Sequence, residues 1–139
     1  MRSVSVLAFL LGSLLLSAQE TKTQIKKVPA ERTSAASGKE MFDAYCASCH
    51  GVDGKGNGPA APAFKKPPTD LTLLAQKNGG KFPAMHVMSS IQDVTQNVHG
   101  SKDMPVWGPI LSSVSTKDPG VVRLRISNLT SYIESLQAK

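Results

Sequence analysis

The sequence predicts an all-α domain of about four helices joined by two long loops. Apolar residues recur at helical spacing in four segments, Gly and Pro cluster between them, and no segment alternates apolar and polar residues as strands do. The chain has 139 residues, which favours one folded domain. Aromatic residues make up only 5% of it. Because so few side chains can form a core, we expect a bound group to fill the centre of the fold.

The first 18 residues have the layout of a secretory signal peptide. Arg2 supplies a positive start, residues 4–16 are mostly apolar, and the small residue Ala18 stands where a signal peptidase would cut. The apolar run is shorter than the roughly 20 residues of a membrane span, so cleavage and export to the periplasm are favoured over an uncleaved membrane anchor. Residues 19–36 are polar and predict a flexible linker, which leaves 37–139 as the folded domain.

The first predicted helix covers residues 36–49. Ser37 and Glu40 fit the capping-box pattern, in which the serine caps the helix and the glutamate reaches back. Residues 51–68 then contain four Gly and four Pro and form the first long loop. One face of the helix is apolar and consists of Met41, Phe42 and Tyr45.

Three further helices are predicted. Asp70 caps the second, Pro83 begins the third, and Asp118 and Pro119 begin the last. Residues 98–110 form a second irregular segment. Loops of this length in a compact domain usually bind something, so function is expected at the two loops.

The segment Cys46-Ala47-Ser48-Cys49-His50 carries the strongest chemical signal. In a helical turn, positions three and four apart are neighbours, so both thiols and the imidazole converge. A thioredoxin-like redox pair would need a βαβ context and no histidine. A structural zinc site would need a fourth ligand, which His86 or His99 could supply. A Cys46–Cys49 disulfide is a third alternative for an exported chain.

Covalent attachment of a c-type haem explains this segment best. In the pattern Cys-x-x-Cys-His, the two cysteines add to the two vinyl groups of one haem, and the histidine becomes an axial ligand of the iron. The export signal and the small aromatic core favour this interpretation over the three alternatives, because a haem is a large and mostly apolar disc. We therefore expect one haem, bound through Cys46 and Cys49, with His50 on its iron.

A second axial ligand has to come from elsewhere in the chain. Met85 and Met88 belong to a predicted helix, where packing in the core explains them. Met104 lies in a loop before a proline, where a ligand role explains it better. His86 and His99 are the nitrogen alternatives. Met104 is thus the expected sulfur ligand.

Two motifs together resemble the bacterial class I (mono-haem) cytochromes c. They are Gly38-x-x-x-Phe42-x-x-x-Cys46-x-x-Cys49-His50-Gly51 and Met104-Pro105-Val106-Trp107-Gly108. The resemblance covers residues 37 to about 137. It implies a small cytochrome c fold wrapped around one covalently bound haem, in which the first and last helices cross.

The resemblance also implies roles for individual residues. Gly38 would allow the close helix crossing, and Phe42 would pack on the last helix against Leu129, Tyr132 or Ile133. Pro62 and Trp107 would support the axial ligands, Pro62 by accepting the His50 ring N–H through its carbonyl. Two features depart from a short family member, namely the longer connection 108–119, which could be a partner surface, and His99.

A haem with both axial positions filled has no site for a substrate, so the expected function is one-electron transfer rather than catalysis. The formal charge of +6 becomes +5 without the signal peptide, which contains one arginine and no acid. Four lysines border the predicted site and could steer the protein towards an acidic docking face of a redox partner: Lys55, Lys65, Lys66 and Lys102. Nucleic acid is not an expected partner, because basic and aromatic residues are not interleaved.

The expected protein is a periplasmic, monomeric carrier between a reductase or dehydrogenase and an oxidase or terminal reductase. An electron-transfer subunit of a larger oxidoreductase is the first alternative. A haem enzyme or sensor with an open sixth site is the second, and peroxidase-like activity would require that Met104 does not bind the iron.

Overall fold

A computed structural model describes residues 30–92, 104, 107–114 and 118–138. These residues form six α-helices and two 3-10 turns, and they include no strand, which confirms the all-α class. None of the helices in these ranges is long and apolar enough to cross a membrane. The predicted signal peptide, His99 and Lys102 lie outside the described residues. In chain order the helices are α1 (Gly38–Tyr45), α2 (Ala47–His50), α3 (Leu74–Lys77), α4 (Ala84–Gln92), α5 (Trp107–Ser113) and α6 (Pro119–Ser135).

The structure corrects the helix count at two places. The predicted helix over 36–49 is interrupted at Cys46, which separates α1 from α2. Helix α5 covers the end of the segment predicted to be irregular, 98–110, and the first half of the predicted connection 108–119. Gly108 and Pro109 suggested a loop, but both lie in the first turn of α5, where a proline interrupts no helical hydrogen bond because its missing N–H would be unpaired there.

The predicted caps are present, with one change. The Ser37 side chain accepts a hydrogen bond from the Glu40 N–H at 3.1 Å. The Glu40 carboxylate accepts from the Ser34 N–H rather than from Ser37, so the capping box is only half formed. Asp118 accepts from the Gly120 N–H at 2.7 Å and begins α6, with Pro119 as its first residue.

Helices α1 and α6 cross in close contact. A Cβ atom added to Gly38 would lie 2.1 Å from the Asn128 carbonyl oxygen, so only glycine allows this approach. Phe42 is completely buried, and its ring centroid lies 5.3 Å from that of Tyr132. The expected roles of Gly38 and Phe42 at this crossing agree with the structure.

The segment preceding α1 is bound to α6. The Asn128 side chain donates to the Ala35 carbonyl at 2.8 Å. The buried guanidinium of Arg125 donates to the Thr33 hydroxyl at 2.9 Å and to the Thr33 carbonyl at 2.7 Å. The flexible linker predicted for 19–36 therefore does not extend to residue 36, because polar groups of α6 fix its last residues.

The hydrogen bonds continue from Thr33 to Tyr45 at the end of α1. The Tyr45 hydroxyl donates to the Glu31 carbonyl at 2.5 Å and lies 2.9 Å from the Thr33 hydroxyl. Since the single hydroxyl hydrogen of Tyr45 is used on Glu31, Thr33 donates to Tyr45 and accepts from Arg125. This chain of hydrogen bonds links α6 to the last residue of α1.

Candidate cofactor site

One cavity of about 300 Å³ lies between the helices, and its walls are mainly apolar. Its lining comes from the end of α1, from α2, from the 64–74 segment, from α4, and from Met104, Trp107 and Ile133. A cavity of this kind in so small a domain agrees with the expectation that a bound group fills the centre of the fold.

The break between α1 and α2 brings the motif residues to this cavity. The Cys46 N–H still donates to the Phe42 carbonyl at 2.8 Å, and the Cys46 carbonyl accepts from Cys49 at 3.1 Å and from His50 at 2.8 Å. Cys46, Cys49 and His50 all line the cavity. Cys46 and His50 are buried, with 8% of each exposed, whereas Cys49 is half-buried. The convergence predicted from their spacing is present.

The His50 ring is held by a backbone carbonyl other than the predicted one. Nδ1 of His50 lies 2.9 Å from the Thr69 carbonyl oxygen, which can only accept. Nδ1 therefore carries the proton, and Nε2 is left unprotonated in the neutral ring. The prediction that Pro62 accepts this hydrogen bond is wrong, and Pro62 does not line the cavity.

The path of the 51–69 loop explains why the carbonyl of Thr69, and not that of Pro62, reaches the His50 ring. N–H groups of Gly56, Gly58 and Ala60 donate to the carbonyls of His50, Cys49 and Ser48, respectively. This pairing holds the first half of the loop against the end of α2 and leaves Pro62 exposed in the turn that follows. The chain then returns, and the Leu71 N–H donates to the Gly54 carbonyl at 2.8 Å. The second half of the loop thus brings Thr69 to the His50 ring.

Burial lowers the pKa of His50, and the hydrogen bond to Thr69 opposes this shift. Loss of water disfavours the charged imidazolium. The ring is accordingly neutral near pH 7, which is the form that binds a metal ion.

The Cys46 thiol does not have the character of a reactive redox cysteine. Burial raises the pKa of Cys46 to about 12, so the thiol stays protonated and is a weak nucleophile. Neither Cys46 nor Cys49 is in a disulfide. In the described part of the chain no three His, Cys, Asp or Glu side chains are grouped as a metal-ion site. Both sulfurs are thus unbridged in the folded chain and lie at the cavity beside the buried imidazole.

Met104 and Trp107 line the same cavity as the motif. Trp107 is the first residue of α5, and its ring centroid lies 5.4 Å from that of Tyr45 at the end of α1. The structure thus brings the predicted sulfur ligand, 54 residues beyond His50 in the sequence, to one site with it. Pro105 and Val106, which lie between Met104 and Trp107 in the sequence, are outside the described residues.

The other predicted ligands are placed differently. His86 is an exposed residue of α4 that lies at the cavity wall. Met88 is half-buried and packs on the core, as expected. Met85 is 78% exposed, so the prediction that it fills the core is wrong. Its position in α4 turns it away from the stripe formed by Val87 and Ile91.

A model of the family described as "Cytochrome c" matches residues 35–137. The chain belongs to the cytochrome c family. It is 29% identical to cytochrome c-554(547) of Halothiobacillus neapolitanus over 105 residues, which cover 74% of this chain and 97% of that protein. It is 36% identical over 89 residues to the cbb3-type cytochrome c oxidase subunit FixP of Azorhizobium caulinodans. That match covers 64% of this chain and only 26% of FixP. No solved structure gave a significant match.

Membership of the cytochrome c family implies a covalently bound haem c, and Cys46 and Cys49 fit the family's Cys-x-x-Cys-His motif. The residues present suit that group. Two thiols and an imidazole with an unprotonated Nε2 share one cavity with a thioether sulfur, and the rest of the lining is mainly apolar. An apolar disc gains from burial in such a cavity, and a soft sulfur with an imidazole suits iron in haem.

Proposed function

We propose that this protein is an exported one-electron carrier that holds a single covalent haem c. Within the cytochrome c family, the observation that carries the proposal is the meeting of Cys46, Cys49, His50 and Met104 at one cavity. The carrier would move electrons between a reductase or dehydrogenase and an oxidase or terminal reductase in the periplasm.

Each of the four residues has one role in this proposal. Cys46 and Cys49 would hold the haem covalently through their sulfurs, and His50 and Met104 would ligate its iron. Haem bound in this way supplies reversible exchange of one electron between Fe(II) and Fe(III). With both protein ligands in place, the iron would have no position left for a substrate, so we propose electron transfer rather than catalysis.

The protein contributes by restraining both ligands and by excluding water. The Thr69 carbonyl fixes the orientation and tautomer of His50 and increases the basicity of Nε2. Buried apolar residues of α4 and α6 lie on the cavity wall, among them Ile91 and Ile133. A methionine ligand and a dry environment both favour Fe(II), so we expect a comparatively high reduction potential.

Two lysines at the cavity support docking to an acidic partner. Lys66 lines the cavity and Lys65 is exposed next to it, whereas Lys55 in the 51–58 loop lies 3.7 Å from the Asp53 carboxylate. A net charge of +5 without the signal peptide would speed encounter with an acidic surface, and the rate would fall as salt rises. We propose that the carrier acts as a monomer that forms short-lived complexes.

The spectrum of the oxidised protein tests the ligand set. Ferric haem bonded to a thioether sulfur has a weak long-wavelength charge-transfer band, which we expect in the wild type and expect to be absent in Met104→Ala. Met85→Ala is the matched control, because Met85 is 78% exposed and does not line the cavity. A band that survives in Met104→Ala, or is absent in the wild type, contradicts His/Met ligation. Variants of His86 and His99 would then be measured.

A second candidate function rests on the similarity to FixP, whose name describes an oxidase subunit. The chain would then be an electron-transfer subunit of a larger oxidoreductase. Affinity purification of the tagged protein from its own membranes at low and high salt separates the two candidates. A stoichiometric complex that persists at high salt favours the subunit, and recovery of the free protein favours the carrier.

Export is tested by the N-terminus of the mature protein. We expect the periplasmic fraction to contain haem-loaded protein that begins at Gln19. Recovery only with membranes, with Met1 or Arg2 still present, would support an uncleaved anchor instead.

A further inference from the structure

Gln137, which follows α6, forms hydrogen bonds to both ends of the short segment Leu71–Ala75. Its Nε2 donates to the Leu71 carbonyl at 2.7 Å, and its Oε1 accepts from the Ala75 N–H at 2.8 Å. Nε2 also donates to the Ile133 carbonyl at 2.9 Å, which ties the side chain back to α6. One half-buried amide thus uses both donors and its acceptor on the backbone.

The segment held by Gln137 has further restraints at the same place. The Ala138 N–H donates to the Thr72 carbonyl at 2.9 Å, so the chain after α6 runs along the 3-10 turn Leu71–Leu73. Asp70 caps that turn, with its carboxylate accepting from the Thr72 N–H and the Thr72 hydroxyl. The turn is therefore fixed to α6 by side-chain and backbone hydrogen bonds.

The fixed turn directly follows the residue that orients His50. Thr69 lies two residues before Leu71, and its carbonyl accepts the Nδ1–H of His50. Thr69 is itself exposed and lies between the restrained Leu71 and the prolines at 67 and 68. The position of its carbonyl consequently depends on where Leu71 is held.

We propose that Gln137 is a positioning residue for His50, acting through Leu71 and Thr69. It fixes the backbone whose carbonyl sets the tautomer, the orientation and the basicity of the ring. The inference rests on the proposed role of His50 as an axial ligand. It assigns to the last residues of the chain a part in tuning the haem, in addition to their part in the fold.

Loss of Gln137 should weaken the Nδ1–H···O=C bond. The ring proton would then exchange faster with solvent, and a less basic ligand would favour Fe(II) and raise the reduction potential. A purely structural role would lower stability and change neither of these two properties of the folded protein.

The test measures the exchange rate of the His50 Nδ1 proton by NMR in haem-loaded, ¹⁵N-histidine-labelled protein. Gln137→Leu removes all three hydrogen bonds, and we expect exchange about fivefold faster or more, as for loss of one ordinary hydrogen bond, together with a higher potential. Asn128→Leu is the matched control, since Asn128 is also a half-buried amide on the α6 side but binds the Ala35 carbonyl. It should leave both readouts at the wild-type value.

A second variant keeps the inference testable if Gln137→Leu does not fold. Gln137→Glu retains an acceptor for the Ala75 N–H but loses both donors, so exchange should again be faster. Unchanged exchange and potential in the folded Gln137 variants, or equal changes in Asn128→Leu, overturn the inference. If His50 signals in the wild type show no effect of bound haem iron, the proposed function itself fails.

Discussion

The cavity has two walls that are built in different ways. The motif wall consists of Cys46, Cys49 and His50 with the loop that brings Thr69 to the ring, and backbone hydrogen bonds hold it throughout. The assembled wall consists of Met104, Trp107 and the cavity-facing residues of α4, which come from separate parts of the sequence. On this second wall, the Trp107 ring packs against Tyr45, and the two ring centroids lie 5.4 Å apart.

The difference indicates which ligand is easier to displace. His50 follows Cys49 directly in the sequence, so attachment of the haem at Cys49 also places the histidine beside the iron. Met104 lies only three residues before α5 but is 54 residues from His50, and we expect its position to depend on α1, α5 and α6 being in place. We therefore expect damage to the fold to release Met104 before His50.

The largest effect is expected from the motif wall. Cys46→Ala combined with Cys49→Ala removes both covalent links, so all haem should be extractable from the denatured variant, whereas none is from the wild type. Extraction into acidic organic solvent measures this. Ser48→Ala is the control, because Ser48 lies between the cysteines and lines the cavity but forms no link. Haem retained by the double variant would show that attachment is elsewhere.

Removal of haem should also unfold most of the chain. The apo-protein has to leave the cavity of about 300 Å³ empty or collapse it, and its aromatic core is small. Because a ligand that binds only the folded state stabilises it, far-ultraviolet circular dichroism should show a large loss of helix without haem. A native helical spectrum for the apo-protein would contradict this.

The next effect concerns the crossing that supports both walls. Gly38→Ala places a Cβ 2.1 Å from the Asn128 carbonyl oxygen, and we expect the free energy of unfolding to fall by about 3 kcal/mol. Gly79→Ala is the control, since no atom lies within 4 Å of its added Cβ although φ is +66°, and it should cost about 1 kcal/mol. Denaturant titration of the haem-loaded proteins measures both. Equal costs would mean that the crossing can relax.

The assembled wall is tested through the hydrogen bonds that end at Tyr45. Thr33→Val leaves a donor of the buried Arg125 without its acceptor, so stability should fall by about 2 kcal/mol. Thr130→Val is matched, because Thr130 is equally buried but donates only to the Ile126 carbonyl within α6, and its cost should be about 1 kcal/mol or less. The thioether band should weaken at lower denaturant concentration in Thr33→Val. If the band is unaffected, Tyr45 does not support Met104.

Local pattern was sufficient to predict the convergence of Cys46, Cys49 and His50, the caps at Ser37, Asp70 and Asp118, and the long last helix. Each depends on residues close together in sequence. Thr69 could not be predicted, because any backbone carbonyl can accept a hydrogen bond and the loop's fold decides which one reaches His50. Arg125 gave no signal beyond a charge on the last helix, and its burial depends on Thr33, 92 residues away. Helix α5 was missed because Gly108 and Pro109 were interpreted as loop residues.

The smallest expected effect distinguishes the two walls by the exchange rate of the His50 Nδ1 proton rather than by stability. Asp70→Ala removes the cap of the turn that follows Thr69, and Asp118→Ala removes the cap of α6, so each should cost about 1 kcal/mol. Each carboxylate accepts from the backbone N–H two residues further on, at 2.9 Å from Thr72 and at 2.7 Å from Gly120, and Asp70 accepts in addition from the Thr72 hydroxyl at 2.6 Å. Only Asp70 lies next to the carbonyl that holds His50, so only its loss should speed exchange of the His50 Nδ1 proton. If both variants speed that exchange equally, the motif wall responds to the stability of the whole fold, and the distinction between the two walls does not hold.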